Sequence, residues 1–377
     1  MEYSNEMIKI VEGALKSDKA KVLSYTNLLV DKLKENKEDK IANSFVKILN
    51  NNLNNMSQKS IDEMVKVPLD QEFRLPMADI LQADQLTDTK IALNHLAKEQ
   101  VNKFLEYHKN TNKLVNAGIK VPNTILLYGP PGCGKSKLAN YICLKTKLPL
   151  VIARIDGLIS SYLGRTAKNI RAIFEYAQAV PCILFLDEFD AIAKIRDDNN
   201  ELGELKRVVN SLLQNIDQLQ SGSIIIAATN HEQLLDPAVW RRFSFRIKIE
   251  KPDKETTKQL IQYFTNKKFS DKELNLLTTA FSGLTGAEIE EICQKASIDS
   301  VIANKNLSLE SLFAVFFDLK KILDTLDGYS TKKDINAKKA KYLRSLDEKT
   351  FSYANISEIL RVSKCCVSSL LKEKMES

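Results

Sequence analysis

The first part of the chain alternates apolar and charged positions at the spacing of amphipathic helices, as at Ile8, Val11 and Leu15. An asparagine-rich segment, 50–55, is followed by Pro68 and Pro76, and this composition marks a connector. The pattern therefore predicts a small helical module over residues 1–70.

Beyond the connector, short apolar runs alternate with amphipathic helical stretches. The runs are Thr124–Tyr128, Leu150–Ala153, Cys182–Leu186, Ile224–Ala228 and Phe245–Ile249. Their near-continuous apolar character is typical of strands that are covered on both faces. The alternation predicts an α/β fold built on a parallel sheet of five strands.

Helical spacing alone continues past Pro252, which predicts a second, all-helical unit. A polar, lysine-rich segment, 327–341, then leads to a last helical block. With 377 residues, the chain has room for two or three domains of about 150 residues each.

Composition excludes several classes of protein. A hydrophobic fraction of 44% with 27% charged residues is ordinary for globular proteins, so neither a disordered nor a fibrous chain is expected. No apolar run approaches the roughly 18 residues that span a bilayer, and residues 1–9 lack the features of a secretory signal. We expect a cytoplasmic protein without a membrane partner. The six cysteines show no paired metal-binding spacing and are expected to be reduced.

The net charge of +7 is concentrated near the end of the chain, since residues 319–377 hold 13 Lys and Arg against 8 Asp and Glu. Such a bias favours nucleic acid or another acidic surface as a partner. A solvated, lysine-rich helical face gives the same count and, on charge alone, is the somewhat stronger interpretation.

One segment matches the phosphate-binding pattern of glycine, four residues, glycine, lysine and serine or threonine. It reads Gly129, Pro130, Pro131, Gly132, Cys133, Gly134, Lys135, Ser136. An apolar strand precedes it and a helical pattern follows, as the motif requires. Glycines let backbone N–H groups converge on phosphates, while Lys135 reaches the β and γ phosphates and the Ser136 hydroxyl ligates Mg²⁺.

A second acidic motif follows the apolar run that ends at Leu186. Asp187 is placed to hold the metal, and Glu188 to orient or deprotonate an attacking water. Asn230 ends the strand run that begins at Ile224, where its amide would bridge the γ-phosphate and the same water. The adjacent Arg241 and Arg242 have no obvious partner in their own phosphate site, and arginines supplied to a neighbouring γ-phosphate would make catalysis require a ring.

Taken in order, these motifs resemble the AAA family of ATPases, within the larger AAA+ class, across roughly residues 71–315. The resemblance implies ATP and Mg²⁺ as cofactors, a large α/β subdomain over 71–250, a helical lid over 251–318 and a basic C-terminal module over 319–377. It makes Asn230 the sensor 1 residue and Arg241 and Arg242 arginine fingers. Nucleotide contacts are implied for residues 129–137, which include Lys137, and for Asp187, Gly286 and Ala287.

The segment after the second strand run resembles the family's pore loop. Tyr162, Leu163 and Gly164 give an aromatic, an aliphatic and a glycine before a helix predicted over Lys168–Ala179. An aromatic side chain can bind many different peptide sequences, because most of its contact energy comes from the burial of apolar area. Ordinary packing of Tyr162 is the alternative. The family usually has Glu after this glycine, whereas this chain has Arg165.

Communication between subunits is also implied by the resemblance, but with a departure. Asp217 is followed by Gln218, where many relatives have glycine. Arg207 resembles a position beside a second pore loop, and an exposed helical charge explains it almost as well.

The tail from Phe351 to Leu371 resembles a helix-turn-helix in which Ser363 caps the second helix. Ser357 and Arg361 depart from the usual alanine and turn glycine. A module that only packs two helices and reads no bases has about equal weight. If the second helix enters a DNA groove, the candidate contacts are Lys364, Ser368 and Ser369.

Two main functions remain open from the sequence. The resemblance favours an ATP-driven homo-oligomer, a hexamer, that remodels or threads a protein substrate. The chain has neither a metalloprotease helix nor a serine nucleophile elbow, so any proteolysis needs a separate effector such as a subtilisin-like protease, as in similar bacterial single-ring ATPases. The alternative is an ATP-controlled switch that binds DNA through the tail; an inactive scaffold that only binds ATP is weaker because of Glu188.

Overall fold

The computed structural model describes residues 3–16, 18–53, 77–86, 91–154, 163–193, 202–219, 222–322 and 331–372. The chain divides into two compact units. The first comprises Met1–Ile91, His95–Pro130 and Lys135–Ile249, and the second Ala92–Asn94, Pro131–Gly134 and Glu250–Ser377. None of the described helices is both long enough and apolar enough to cross a bilayer.

The first unit begins with three helices: α1 (Ser4–Leu15), α2 (Lys19–Glu35) and α3 (Asp39–Leu53). Asp18 starts α2 because its carboxylate accepts a hydrogen bond from the backbone N–H of Lys21 at 3.0 Å. The helices share a small apolar core of Tyr3, Leu29, Val30, Leu33 and Ala42.

A six-stranded sheet forms the centre of this unit, in the order β1-β3-β4-β5-β2-β6. The strands are β1 (Ala78–Leu81), β2 (Thr124–Tyr128), β3 (Leu150–Ala153), β4 (Ile183–Leu186), β5 (Ile224–Thr229) and β6 (Phe245–Lys248). Strands β2 to β6 pair in parallel, which confirms the predicted α/β class. The sequence prediction of five strands missed β1, a short edge strand that pairs antiparallel with β3.

Helices of the first unit flank these strands. They are α4 (His95–Lys109), α5 (Thr111–Asn116), α6 (Lys135–Thr146), α7 (Leu163–Ala179), α8 (Asp190–Ala193), α9 (Leu202–Gln218) and α10 (Pro237–Trp240). Side chains of β4, β5, α7 and α9 form one continuous buried core, in which Leu184, Ile225 and Ile173 are fully buried. Because the strands carry apolar residues at nearly every position, both faces of the sheet are covered.

The N-terminal helices pack directly on this α/β core. Helix α2 contacts α7, and α1 contacts α5. Tyr25 is buried, and a Cβ built on Gly222, just before β5, would lie 1.8 Å from its hydroxyl oxygen. Lys147 and Glu35 form an ion pair at the surface of the same contact. Because Gly222 has no side chain, there is room for the Tyr25 ring.

The second unit is helical. It contains α11 (Lys254–Thr265), α12 (Asp271–Ala280), α13 (Gly286–Ile302), α14 (Leu309–Leu319), α15 (Lys332–Leu346), α16 (Tyr353–Leu360) and α17 (Lys364–Lys372). Serine or threonine begins several of these helices; Ser270 and Thr285, for example, form capping boxes with Glu273 and Glu288.

The last three helices share a core with the four that precede them. Phe351 and Ile356, from the C-terminal part, are buried in the same cluster as Phe313 and Leu277. The Phe313 and Phe351 rings meet edge to face with centroids 6.3 Å apart. Two ion pairs reinforce the contact, Arg361 with Glu310 at 2.6 Å and Lys272 with Glu358 at 2.5 Å. Helices α11–α17 are therefore one packed body.

Candidate nucleotide-binding site

Parallel pairing brings three strand ends to one edge of the sheet. The register places Tyr128 of β2 beside Thr229 of β5, and Leu186 of β4 beside Ala227 of β5. The residues that follow these strands are the glycine-rich loop, the two acids and Asn230. The carboxyl edge of an open α/β sheet is where ligands bind in such folds.

The loop leaves β2 through a glycine that no other residue could replace without displacing its neighbours. Gly129 has φ of 137°, and a Cβ built on it would lie 2.1 Å from the carbonyl oxygen of Ile249. Gly132 and Gly134 also have positive φ. Helix α6 begins at Lys135, so its N-terminal N–H groups face the loop and favour an anion there.

Lys135 is almost completely buried, and its ammonium group is held by the loop itself. Its Nζ donates hydrogen bonds to the carbonyl oxygens of Gly129, at 2.7 Å, and Pro130, at 2.9 Å. A compact positive charge fixed inside a glycine-rich loop fits the phosphates of a nucleotide.

Ser136 and Asp187 lie together although 51 positions separate them in the sequence. The Ser136 hydroxyl donates a hydrogen bond to Oδ2 of Asp187 at 3.1 Å. A hydroxyl and a carboxylate are the oxygen ligands that Mg²⁺ takes beside phosphates. The donor set that is present therefore fits this ion.

Glu188 occupies an unusual backbone conformation. Its φ is 47°, in the left-handed region that non-glycine residues rarely adopt, and its side chain is exposed at the strand ends. The Glu188 N–H donates to Oδ1 of Asp187 at 2.9 Å, and the next N–H, of Phe189, donates to the carbonyl oxygen of Ala228 at 2.8 Å. These bonds hold the turn in a strained form, as is common at functional sites.

A partly buried hydrogen bond that sequence reasoning missed joins this turn to Thr229, the residue before Asn230. Thr229, fully buried at the end of β5, donates from Oγ1 to Oδ1 of Asp190 at 2.8 Å and accepts from the N–H of His231 at 3.0 Å. No local pattern signals it, because Asp190 and Thr229 are 39 positions apart. Asn230 itself is half-buried beside them.

The middle of the glycine-rich loop, 131–134, belongs to the second unit and contacts the start of α13. The N–H of Ala287 donates to the carbonyl oxygen of Gly132 at 2.9 Å. A Cβ on Gly132 would lie 3.1 Å from Oγ1 of Thr285. The structure thus places Gly286 and Ala287 against the loop, while Cys133 is partly exposed and its thiol contacts the carbonyl of Pro131.

The two adjacent arginines differ in their surroundings. Arg242 is half-buried; its Nε donates to Oδ2 of Asp217, and its Nη1 to the carbonyl oxygen of Ala238, both at 3.2 Å. Arg241 is exposed and makes no side-chain hydrogen bond or ion pair with the described residues. The structure therefore joins Arg242 to Asp217, two residues that the sequence marked separately.

The predicted pore residues are only partly described. Tyr162 lies outside the described residues, whereas Leu163 and Gly164 form the first turn of α7. The helix starts five residues before the predicted Lys168. Arg207 lies on α9, and its side chain is not among those described.

This loop, helix and acid pair at the edge of a parallel sheet define a P-loop nucleoside-triphosphate-binding domain. Comparison with known proteins indicates which family of P-loop proteins this domain resembles. Residues 125–251 match the family model for the ATPase family associated with various cellular activities (AAA). This part of the chain is therefore similar to proteins of the AAA family.

Curated relatives share this domain. The chain is 43% identical over 192 residues to an AAA family ATPase, y4kL, of Sinorhizobium fredii, covering 50% of this chain and 57% of that protein. It is 31% identical over 228 residues to the ATP-dependent zinc metalloprotease FtsH of Thermus thermophilus, covering 58% of this chain and 36% of that protein. The chain thus spans about half or less of the length of these relatives.

A solved structure supports the fold over a longer stretch. The crystal structure of the FIGL-1 AAA domain superposes with a TM-score of 0.52 at 19% identity, covering 72% of this chain and 92% of the other. At this identity, the likeness extends to the fold.

Proposed function

We propose that this chain hydrolyses ATP with Mg²⁺. The observation that supports this most directly is the 3.1 Å hydrogen bond between Ser136 and Asp187, with Glu188 following at the same sheet edge. The hydroxyl and the first carboxylate would hold the metal, and the second, exposed acid is what separates a hydrolase from a protein that only binds nucleotide.

Each residue of the site has a distinct role in this proposal. Lys135 binds the β and γ phosphates, and Ser136 and Asp187 hold the metal. Mg²⁺, when bound, neutralises charge on the phosphate oxygens. Glu188 accepts a proton from the attacking water, while Asn230 orients that water through its amide.

We further propose that the active form is a homo-oligomeric ring, a hexamer. Arg241 supports this because its guanidinium group is exposed and makes no ion pair with described residues of its own chain. Delivered to a neighbour's γ-phosphate, it would neutralise charge that develops during transfer. Arg242 would position Arg241, since its own side chain is tied to Asp217.

The work done by the ring is remodelling or threading of a protein substrate. This rests on the AAA resemblance and on Tyr162, Leu163 and Gly164 as substrate-gripping residues. FtsH relatives are named as proteases, but a separate effector, such as a subtilisin-like protease, would have to supply proteolysis to this chain.

The proposed compartment is the cytoplasm, where thiols stay reduced. None of the six cysteines, all of which lie among the described residues, forms a disulfide bond. Burial raises the pKa of Cys182 and Cys293 to about 12 each and that of Cys143 to about 11, so these thiols are packing groups rather than reactive ones.

Measurement of ATP turnover against protein concentration tests the hydrolysis and the ring together. We expect Mg²⁺-dependent turnover that rises more than linearly with concentration, that is abolished in Glu188→Gln, and that is retained in the matched control Glu255→Gln on exposed α11. Arg241→Ala should bind ATP normally and fail to hydrolyse it. A protein that shows no turnover with Mg²⁺ at any concentration contradicts the proposal.

The Glu188→Gln variant can also be used to identify the protein substrate. Glu188→Gln, loaded with ATP, should stall with its protein substrate bound, and Lys135→Ala, which cannot hold the phosphates, should retain none. Polypeptides recovered equally with both variants would count against a threading motor.

A second candidate function is an ATP-controlled switch that binds DNA through the C-terminal helices. The observation that favours it is the geometry of α16 and α17, which are joined by the three residues 361–363. Tyr162→Ala separates the two candidates, since it should stop substrate processing by a motor and leave DNA binding by a switch unchanged.

A further inference from the structure

The C-terminal helices have the dimensions of a helix-turn-helix. Helix α16 has 8 residues and α17 has 9. The first residue between them, Arg361, adopts the left-handed conformation, with φ of 52° and ψ of 46°. A residue of this conformation turns the chain so that the second helix crosses the first. Arginine fills a position that glycine usually takes, and its side chain is held by Glu310.

Packing uses one side of α17 and leaves the other exposed. Val367 and Leu370 are buried, and the helix lies against α15 and α16. The opposite face carries Lys364, Cys365, Ser369 and Lys372, all of them exposed. Ser363 fixes the start of the helix, because its Oγ accepts from the N–H of Cys366 at 3.2 Å.

The side chains of that face suit a polar, anionic partner. Among the described residues of α17, none is a large exposed apolar side chain, so the face lacks the anchors of a protein interface. Lysines and small hydroxyl groups are instead the groups that contact phosphates and base edges.

The charge of the residues around α17 also favours an anionic partner. Residues 331–372 contain ten Lys and Arg against four Asp and Glu. All four acids are engaged within the unit: Asp334 and Asp347 accept hydrogen bonds near helix ends, Glu348 pairs with Arg344, and Glu358 pairs with Lys272. Lys349, Lys364 and Lys372 form no ion pair with described residues, which leaves a net positive surface.

We infer that the exposed face of α17 binds double-stranded DNA, with Lys364 and Lys372 on phosphates and Ser368 and Ser369 toward the groove. This rests on the second proposed function and names its contact surface. Helix α17 enters the major groove, and α16 crosses the backbone, as in other helix-turn-helix proteins. Because the C-terminal helices share a core with α11–α14, the proposed DNA site belongs to the same packed body.

Fluorescence anisotropy with the full chain and a labelled 30-base-pair duplex of mixed sequence tests the inference. Lys364→Ala/Lys372→Ala should weaken binding roughly ten- to hundredfold at about 100 mM salt and lower the slope of log affinity against log salt by about 1.8. The matched control Lys268→Ala/Lys305→Ala removes the same charge from exposed positions of the same unit and should bind as the unchanged chain does. Circular dichroism verifies that both variants fold.

Three results would overturn the inference: no binding of the duplex by the unchanged chain at about 50 mM salt, equal loss in both double variants, or tighter binding of the single strand than of the duplex. ATP turnover measured on the same unchanged sample keeps the two proposals separate. Turnover without any DNA binding rejects the DNA-binding switch together with this surface, whereas DNA binding that is lost equally in both double variants rejects this surface alone. DNA binding without turnover rejects the hydrolysis.

Discussion

Thr229 donates a hydrogen bond to Asp190 across 2.8 Å, and this partly buried bond joins the two sides of the candidate active site. Asp190 lies two residues after Glu188, and Thr229 immediately precedes Asn230. The bond therefore sets the distance between the group proposed to activate water and the group proposed to orient it. Neither Thr229 nor Asp190 needs to touch the nucleotide for this.

Replacing Thr229 with valine should slow hydrolysis without weakening ATP binding. Valine keeps the shape but lacks the hydroxyl, so the turn at Glu188 loses the side-chain hydrogen bond to β5 and keeps the backbone bond from Phe189 to Ala228. Lys135 and Ser136 are unchanged. We expect kcat to fall roughly tenfold, equivalent to about 1.4 kcal/mol in the barrier, with little change in KM. Thr229→Ser restores the donor and should recover most of the rate. A change in KM alone would contradict a positioning role.

Gly129→Ala should disrupt the glycine-rich loop far more than the same change at a glycine in open space. Its Cβ would meet the Ile249 carbonyl oxygen at 2.1 Å, so the end of β6 must move. We expect a loss of more than about 3 kcal/mol in the free energy of unfolding, together with loss of nucleotide binding. Gly118 also has positive φ, of 71°, but nothing lies within 4 Å of its Cβ, so Gly118→Ala should cost about 1–2 kcal/mol from backbone strain alone. Denaturant titration compares the two; equal losses would refute the steric argument.

Gly222→Ala should loosen the N-terminal helices by displacing Tyr25. The added Cβ would lie 1.8 Å from the Tyr25 hydroxyl oxygen, which forces the ring out of its buried place. Hydrogen exchange of α1–α3 should accelerate while that of β2 and β4 stays slow. Because Tyr25→Ala removes the clashing atoms, the double variant should lose less stability than the two single losses added together. Additive losses would show that the two positions act independently.

His108 should make the first unit less stable in mild acid. Burial, with a smaller contribution from nearby Lys32, lowers the pKa of His108 from 6.5 to about 4. Above pH 6.5 the side chain is neutral in both states; as the pH falls toward 4, the unfolded chain gains a proton that the folded chain does not. The free energy of unfolding therefore falls through this window, by about 2 kcal/mol at pH 5. His108→Gln should flatten that part of the pH profile when the free energy of unfolding is measured by denaturant titration at pH 7 and at pH 5.

Local patterns predicted the parallel strands because each is an apolar run buried on both faces, and they predicted the glycine-rich loop because its spacing is fixed by the phosphates it would hold. Strand β1 was missed since its four residues, Ala78–Leu81, include an exposed Asp79 and lie at the sheet edge. The start of α7 was placed too late because Gly164 was interpreted as a loop residue, whereas it lies in the first helical turn.

Contacts between residues that are far apart in the chain could not be predicted from the sequence. Tyr25 with Gly222 and Asp190 with Thr229 are contacts that only the folded chain brings together, and none of the four residues belongs to a spacing pattern. Arg361 is a different case. The sequence marked it as a departure from the turn glycine, and the structure shows arginine adopting the same left-handed conformation, at a strain of about 1 kcal/mol.

The aromatic contact between Phe313 and Phe351 has a mechanical consequence. Since α14 and the C-terminal helices are packed through one interior, a pull on α17 is transmitted through α16 and α14 to α13, whose first turn is hydrogen-bonded to Gly132. A load applied to α17 would therefore reach Gly132, in the middle of the glycine-rich loop, without leaving the second unit.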